Sequence, residues 1–258
     1  MNCKLSVKTN VLHGKPNIED MYFTAPYKIM SPFLEGEQME IMQMSASAGL
    51  FGGDTFSLDL HFGKGSRVTY SSQSYEKVFP RKDLQTKKEL KINVEQNANI
   101  IYLPYPVIPF ANSNFLGENT ICLHPTSTFT YGDIFTCGRT GMGEYFQMKQ
   151  YESRTKIYVG NELAFADRTW LCPEKLSYQI MGMWGQYTHN GMLYLYDGDR
   201  EEKEEWEPWI EEIREISKEK DCVTGVSKCP KGIVLRTLAM SGDKIYQMFK
   251  EIVAWNEK

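Results

Sequence analysis

The sequence has few of the residues from which tight metal sites and disulfide frameworks are built. Its four histidines are scattered along 258 residues, and its six cysteines include no C-x-x-C pair. This spacing excludes the usual zinc motifs and a disulfide-rich secreted fold. It indicates reduced thiols, most of them buried, in a cytoplasmic protein.

Long apolar runs and runs of basic residues are also missing. The most apolar stretch, 98–110, is interrupted by three prolines, and the first ten residues lack the apolar core of a signal peptide. We therefore expect no membrane-spanning segment. The formal net charge is −4, and Lys and Arg are not clustered, so nucleic acid is not an expected partner.

Signatures of nucleotide binding and of hydrolysis are absent as well. The glycines of 47–54 (SAGLFGGD) form neither G-x-x-x-x-G-K-[ST] nor G-x-G-x-x-G, and the pattern after Asp54 predicts a strand instead of a phosphate-binding helix. We interpret the segment as a turn whose glycines allow positive φ. Neither G-x-S-x-G nor H-E-x-x-H occurs, so no motif favours a catalyst.

The chain does contain alternation of period two. Residues 56–62 (FSLDLHF) and then 90–94 place apolar and polar side chains on opposite faces of a strand. After a turn at 63–65, we predict that residues 68–73 pair back on the first strand as a hairpin. Further strands are predicted at 121–124, 129–137 and 156–165, the last around a turn at 160–162. Short strands without intervening helices predict an all-β layered or barrel-like body.

The pattern changes in the last quarter of the chain. Eight glutamates interleaved with tryptophan and isoleucine predict an amphipathic helix from about Pro208 to Lys218. Apolar residues at helical spacing after Ser241 predict a second helix at the end of the chain. Two strands are predicted between the helices, at 222–228 and 232–238. No Pro/Gly/Ser linker is present, so we predict one domain, 1–258, with a β-rich body over about 1–197 and a mixed portion over about 198–258.

Six motifs occur in a specific order. They are YFTAPYKIMSPF (22–33), AGLFGGD (48–54), YSSQSYEKVF (70–79), YLPYPVIPF (102–110), GDIFTCGR (132–139) and GE (143–144). In order and spacing they resemble the urease accessory proteins called UreD, or UreH in some bacteria, well over about residues 5–170 and more loosely beyond. The resemblance implies a mainly β fold, with a multi-stranded layered or β-helix-like body and a small C-terminal α+β portion carrying two helices.

The resemblance also implies partners and a cargo. Members of that family are non-catalytic scaffolds that bind apo-urease, recruit UreF and through it the GTPase UreG, and help deliver nickel to the urease active site, by proposal through an internal tunnel. No tightly bound cofactor is implied, and nickel is only in transit. A conduit fits this sequence better than a store, because tight nickel binding requires clustered imidazoles or thiolates.

The resemblance makes five carboxylates candidates for lining a nickel path: Asp54, Asp133 and Asp167, with Glu76 and Glu144 as weaker candidates. Each carboxylate could instead be structural. Asp54 could cap its own turn, and Asp133 could hydrogen-bond a neighbouring strand. We expect Arg139 to be a structural ion-pair partner.

Two other functions remain open from the sequence. The abundance of carboxylates and aromatic residues is compatible with a β-rich hydrolase acting on a carbohydrate or an ester. Such an enzyme needs two carboxyl groups about 5 to 9 Å apart in an open cleft. The third possibility is an adaptor that contacts partners but no metal.

Overall fold

The computed structural model describes residues 1–203, 205–218 and 221–256. In these residues the strands form a seven-stranded and a twelve-stranded sheet. The helices are α1 (Gly198–Lys203), α2 (Glu207–Lys218) and α3 (Gly242–Asn256), and a 3-10 turn spans Thr140–Met142. The strands are β1 (Asn2–Leu12), β2 (Lys15–Phe23), β3 (Tyr27–Ile29), β4 (Phe33–Glu35), β5 (Gln38–Ser45), β6 (Leu50–Phe51), β7 (Thr55–Phe62), β8 (Arg67–Ser72), β9 (Glu76–Phe79), β10 (Thr86–Val94), β11 (Asn99–Tyr102), β12 (Val107–Pro109), β13 (Asn114–Leu123), β14 (Thr128–Thr136), β15 (Gln150–Val159), β16 (Glu162–Leu171), β17 (His189–Asp197), β18 (Cys222–Lys228) and β19 (Ile233–Ala239).

The body winds as a β-helix, in which successive coils add strands to each sheet in turn. Strands β1, β7, β10, β13 and β15 are parallel neighbours in the seven-stranded sheet. Strands β5, β8, β11 and β14 are parallel neighbours in the twelve-stranded sheet. The short strands β6, β9 and β12 form a third strip that leads from one coil to the next. The predicted mainly β, β-helix-like body is therefore confirmed.

One prediction from the sequence is wrong. Strand β8 is not the hairpin partner of β7, because β7 pairs with β1 and β10 whereas β8 pairs with β5 and β11 in the facing sheet. Alternation shows which face a side chain occupies but does not identify the neighbouring strand. The turn at 63–65 directs the chain into the other sheet. The hairpin predicted around 160–162 is confirmed, since β15 and β16 pair antiparallel.

Rows of like side chains fill the space between the two sheets. Val7, Leu60, Ile92, Ile121 and Ile157 are paired from strand to strand across five strands, and all are almost completely buried. A facing row on the twelve-stranded sheet consists of Val68, Ile100 and Phe129. Each side chain buried in this way stabilises the fold by roughly 1.5–3 kcal/mol. The rows fix the register, since a slip of one residue would turn every apolar side chain outward.

The C-terminal portion continues the twelve-stranded sheet. Strands β19 and β18 follow β17 in antiparallel order, and both helices begin and end close to the predicted positions. The amide of Lys244 donates a hydrogen bond to Oγ of Ser241, which caps α3 as expected. Glu204, one of the eight glutamates, lies outside the described residues. Among those residues, no helix combines the length and apolar character that a membrane-spanning segment needs.

Helix α3 covers the outer face of the twelve-stranded sheet and packs closely against Gly191 in β17. Ile245 and Phe249 of α3 are fully buried there. A Cβ atom on Gly191 would lie 2.6 Å from Cγ2 of Ile245 and 3.0 Å from Cζ of Phe249. Glycine is therefore required for this helix–sheet contact.

We expect Gly191→Val to lower the free energy of unfolding by about 1–3 kcal/mol, because the added side chain forces α3 away from β17. Urea unfolding followed by circular dichroism measures the change. Gly225→Val in β18 is the matched control, since no heavy atom lies within 4 Å of a Cβ built there. Equal stability of the two variants would contradict the packing described for α3.

Candidate functional site

Charged and polar side chains meet in a cavity between the two sheets. This inner cavity, with a volume of about 40 Å³, is large enough for water or a metal ion but too small for a sugar. Its polar lining consists of Glu76, Lys88, Asn119, Asp133 and Ser153, from five different strands. The remaining lining is mainly aromatic and aliphatic. The fold therefore brings together two of the five candidate carboxylates, Glu76 and Asp133.

A second space, the outer pocket, adjoins the inner cavity. It has a volume of about 180 Å³ and is lined by the exposed residues Ser45, Ser47, Gln73 and Ser74. Glu76, Lys88, Tyr102, Pro104, Tyr105 and Val107 line both spaces. Because they share these six residues, the two spaces adjoin; together they extend from the loop that begins with Ser47, at the protein surface, to Asp133, and we refer to the pair of spaces as the internal path.

Lys88 and Glu76 form an ion pair at the junction of these spaces. Nζ of Lys88 lies 2.6 Å from Oε2 of Glu76, and the two side chains are only 15% and 14% exposed. Burial alone would lower the pKa of Lys88, but the Glu76 carboxylate, together with Tyr102 and Asp133, outweighs this effect, so the pKa is raised. The lysine therefore remains charged, and each side chain neutralises the other in a place where an unpaired charge would be strongly destabilising.

Asp133 borders the inner cavity but not the outer pocket. It lies on β14, which is covered by the facing sheet on one side and by α3 on the other. Oγ of Ser153 donates a hydrogen bond to Oδ2 of Asp133 at 3.2 Å. Desolvation raises the pKa of Asp133 to about 6, although the Ser153 hydrogen bond opposes the rise, and Asp167 adds to it. The carboxyl group therefore exchanges its proton near neutral pH.

The strand register explains why there is room for these groups. Lys88 of β10 is paired with Gly117 of β13, and Gly117 is paired with Ser153 of β15. With no side chain at Gly117, the space between the lysine and the serine stays open. The opposite wall is formed by Tyr102 and Tyr131, whose rings stack with centroids 5.6 Å apart. These rings place the polar groups in a rigid and largely apolar environment.

The other three candidate carboxylates lie in ion pairs outside both spaces. Oδ1 of Asp54 is 2.7 Å from the amino group of Met1. Oδ1 of Asp167 is 2.6 Å from Nη2 of Arg236, on β19. The third carboxylate, Glu144, accepts two hydrogen bonds from Arg139. The expected role of Arg139 as a structural partner is confirmed, whereas a part for these three carboxylates in metal transit stays a prediction.

The described residues contain no group of three or more His, Cys, Asp or Glu side chains placed to hold a metal. Of the histidines, His61 is paired with Glu95 at 2.8 Å, and burial lowers the pKa of His189 to about 4. Two carboxylates with a lysine between them can bind a divalent cation weakly, through oxygen atoms and water. The arrangement also lacks the open cleft that a glycoside hydrolase needs around its carboxyl pair.

Lys88, Ser153 and Asn119 were missed by the sequence-based prediction. Nδ2 of Asn119 donates hydrogen bonds to Oγ1 of Thr155 at 3.0 Å and to Oγ of Ser153 at 3.4 Å, so these polar groups form one network. A signal for Lys88 was present in the sequence. Lys88 lies two residues before Leu90 and therefore points to the same face of its strand as Leu90, Ile92 and Val94, which is the inward face.

The protein is a β-helix in which charged and polar residues line two adjoining spaces. The family model described as UreD urease accessory protein matches residues 2–257. Urease accessory protein UreH of Helicobacter hepaticus is 32% identical, and UreD of Acetivibrio thermocellus is 33% identical; each match covers 96% of this chain and 95% of the relative. UreH of Helicobacter pylori strain J99 is 32% identical over 96% of this chain and 92% of its own length. The chain belongs to the UreD family of urease accessory proteins.

We expect Asp133→Asn to stabilise the protein near neutral pH and to have little effect near pH 4. The folded-state pKa of about 6 lies above the ordinary value of 3.8, so folding favours the protonated carboxyl group. Stability is therefore lost as the pH rises through 6, and the difference between the two pKa values corresponds to at most about 3 kcal/mol. The asparagine variant has no carboxyl group to ionise and escapes this loss.

Urea unfolding of both proteins at pH 4.5 and pH 7.5 measures this effect. Ser153→Ala is the matched control, and it should change the stability at neutral pH in the opposite direction, because the serine hydroxyl stabilises the ionised carboxylate. It should destabilise the protein more at pH 7.5 than at pH 4.5. A stability difference between wild type and Asp133→Asn that is the same at both pH values would contradict the burial described for Asp133.

Proposed function

We propose that this chain is a non-catalytic, cytoplasmic scaffold of urease maturation that binds apo-urease and UreF, and through UreF the GTPase UreG. In this role it passes nickel toward the urease active site along the path between Ser47 and Asp133. The observation that supports the proposal is a pair of adjoining spaces in a chain of the UreD family, with Glu76 bordering both spaces and Asp133 bordering the inner one. Nickel is a cargo here and not a resident cofactor.

The chemistry of the path suits transit better than storage. Nickel held by several imidazoles or thiolates would leave slowly, whereas one carboxylate at a time, completed by water, binds weakly enough to release it. Glu76 meets an incoming cation first, since it borders the outer pocket, and Asp133 lies further in. Burial raises the pKa of Tyr102 and Tyr131, so their hydroxyl groups stay neutral and compete poorly with the carboxylates for a cation.

We expect urease activation to depend on both carboxylates of the path. In cells that co-express apo-urease, UreF, UreG and this chain, Glu76→Gln and Asp133→Asn should each reduce nickel-dependent urease activity about tenfold or more at limiting nickel, since each replaces a charged carboxylate with a neutral amide, which attracts a divalent cation less strongly. Glu89→Gln is the matched control, because Glu89 is exposed on the outer face of β10. Urease activity is measured in lysates over a range of nickel concentrations.

Pull-down of the assembled complex separates the possible outcomes. Normal assembly with reduced activation supports a conduit. Normal assembly and normal activation in the Glu76→Gln/Asp133→Asn double variant would instead favour an adaptor without metal contact. Full urease activation in cells that lack this chain would exclude a role in maturation altogether.

A further inference from the structure

The Lys88–Glu76 ion pair lies where the outer pocket and the inner cavity adjoin. Both side chains border the outer pocket and the inner cavity, together with Tyr102 and Tyr105. A cation that enters at Ser47 and moves toward Asp133 must therefore pass an ammonium group that is already bound to the first carboxylate it meets.

The ammonium group of Lys88 is well suited to a reversible exchange. It is bonded to Glu76 at 2.6 Å, and Asp133 also lies within its electrostatic field. Lysine is a point charge on a flexible four-carbon chain with three donors, so it can leave one carboxylate and turn toward another. In a poorly solvated interior, two positive charges beside one carboxylate repel each other strongly. The lysine and a divalent cation therefore compete for Glu76.

We propose that Lys88 determines how tightly the path holds a divalent cation, because its ammonium group is the resident counter-ion of Glu76 that nickel must displace. This inference rests on the proposed function, since it concerns the same path. Each passing ion replaces the lysine at the carboxylate, and the returning lysine displaces the ion. The Glu76 carboxylate is therefore always paired with a cation, either the lysine or the metal. Nickel can be released because the lysine takes its place.

The test is nickel binding to the purified full chain, measured by isothermal titration calorimetry with Ni²⁺ alone at pH 7.5. Lys88→Met removes the charge and nearly preserves the length of the side chain. We expect the variant to bind Ni²⁺ about tenfold more tightly than wild type, because Glu76 is then free of its counter-ion. Lys88→Arg keeps the charge, and because a guanidinium group can bind a carboxylate bidentately, this variant should bind Ni²⁺ no more tightly than wild type. Lys87→Met, at the exposed neighbouring position of β10, is the control and should not change the affinity.

Circular dichroism shows whether each variant is folded. If Lys88→Met does not fold, Lys88→Gln takes its place, since an amide can still donate a hydrogen bond to Glu76 without carrying charge. Tighter nickel binding is expected for this variant too. Unchanged or weaker nickel binding in a folded variant without charge at residue 88 would overturn the inference.

The urease activation assay separates this inference from the proposed function. Lys88→Met should slow activation at limiting nickel although it binds the metal more tightly, because release becomes slower. A merely structural role of Lys88 would weaken both binding and activation. If activation proceeds without the chain, the proposed function fails. If activation requires the chain but loss of the charge at residue 88 leaves nickel affinity unchanged, this inference alone fails.

Discussion

The in-register stacking of parallel strands is the constraint on which the rest of the structure depends. Each inward side chain faces its counterpart in the next coil, so apolar positions form rows such as that of Leu60, Ile92 and Ile121. A polar side chain at one of these inward positions is removed from water, so its neighbours must supply hydrogen bonds or an opposite charge. The inner cavity lies beside a row of a different composition, in which Phe56, Lys88, Gly117 and Ser153 are paired from strand to strand.

The stacking of the strands also determines where the glycine loop SAGLFGGD (47–54) lies. The loop forms a tight turn before β7, as expected from the sequence, with Gly53 at φ +85°. Its first half, from Ser47 to Leu50, borders the outer pocket. Asp54, by contrast, turns toward Met1 and the start of the seven-stranded sheet. The loop therefore helps to shape the entrance, while the carboxylates of the path come from β9 and β14.

Much of the fold could be predicted from the sequence because its signals are local. Alternation placed β7, β10 and β14, and helical spacing with Pro208 and Ser241 placed α2 and α3 close to their observed bounds. Strand partners could not be predicted in this way, since β7 and β8 have similar patterns but belong to facing sheets. The same limit applies to the site. Asp133 and Glu76 were identified through their motifs, but their encounter with Lys88 depends on which coils are neighbours, and the ion pairs of Asp54, Asp167 and Glu144 depend on distant chain segments.

Anomalous X-ray diffraction from crystals of the full chain soaked in a nickel salt shows directly whether the internal path accepts nickel. We expect an anomalous peak in the inner cavity, within coordinating distance of Glu76 or Asp133, with the Lys88 ammonium group displaced. Nickel bound only at surface positions such as His61 and Glu95, with no peak along the path, would contradict this expectation.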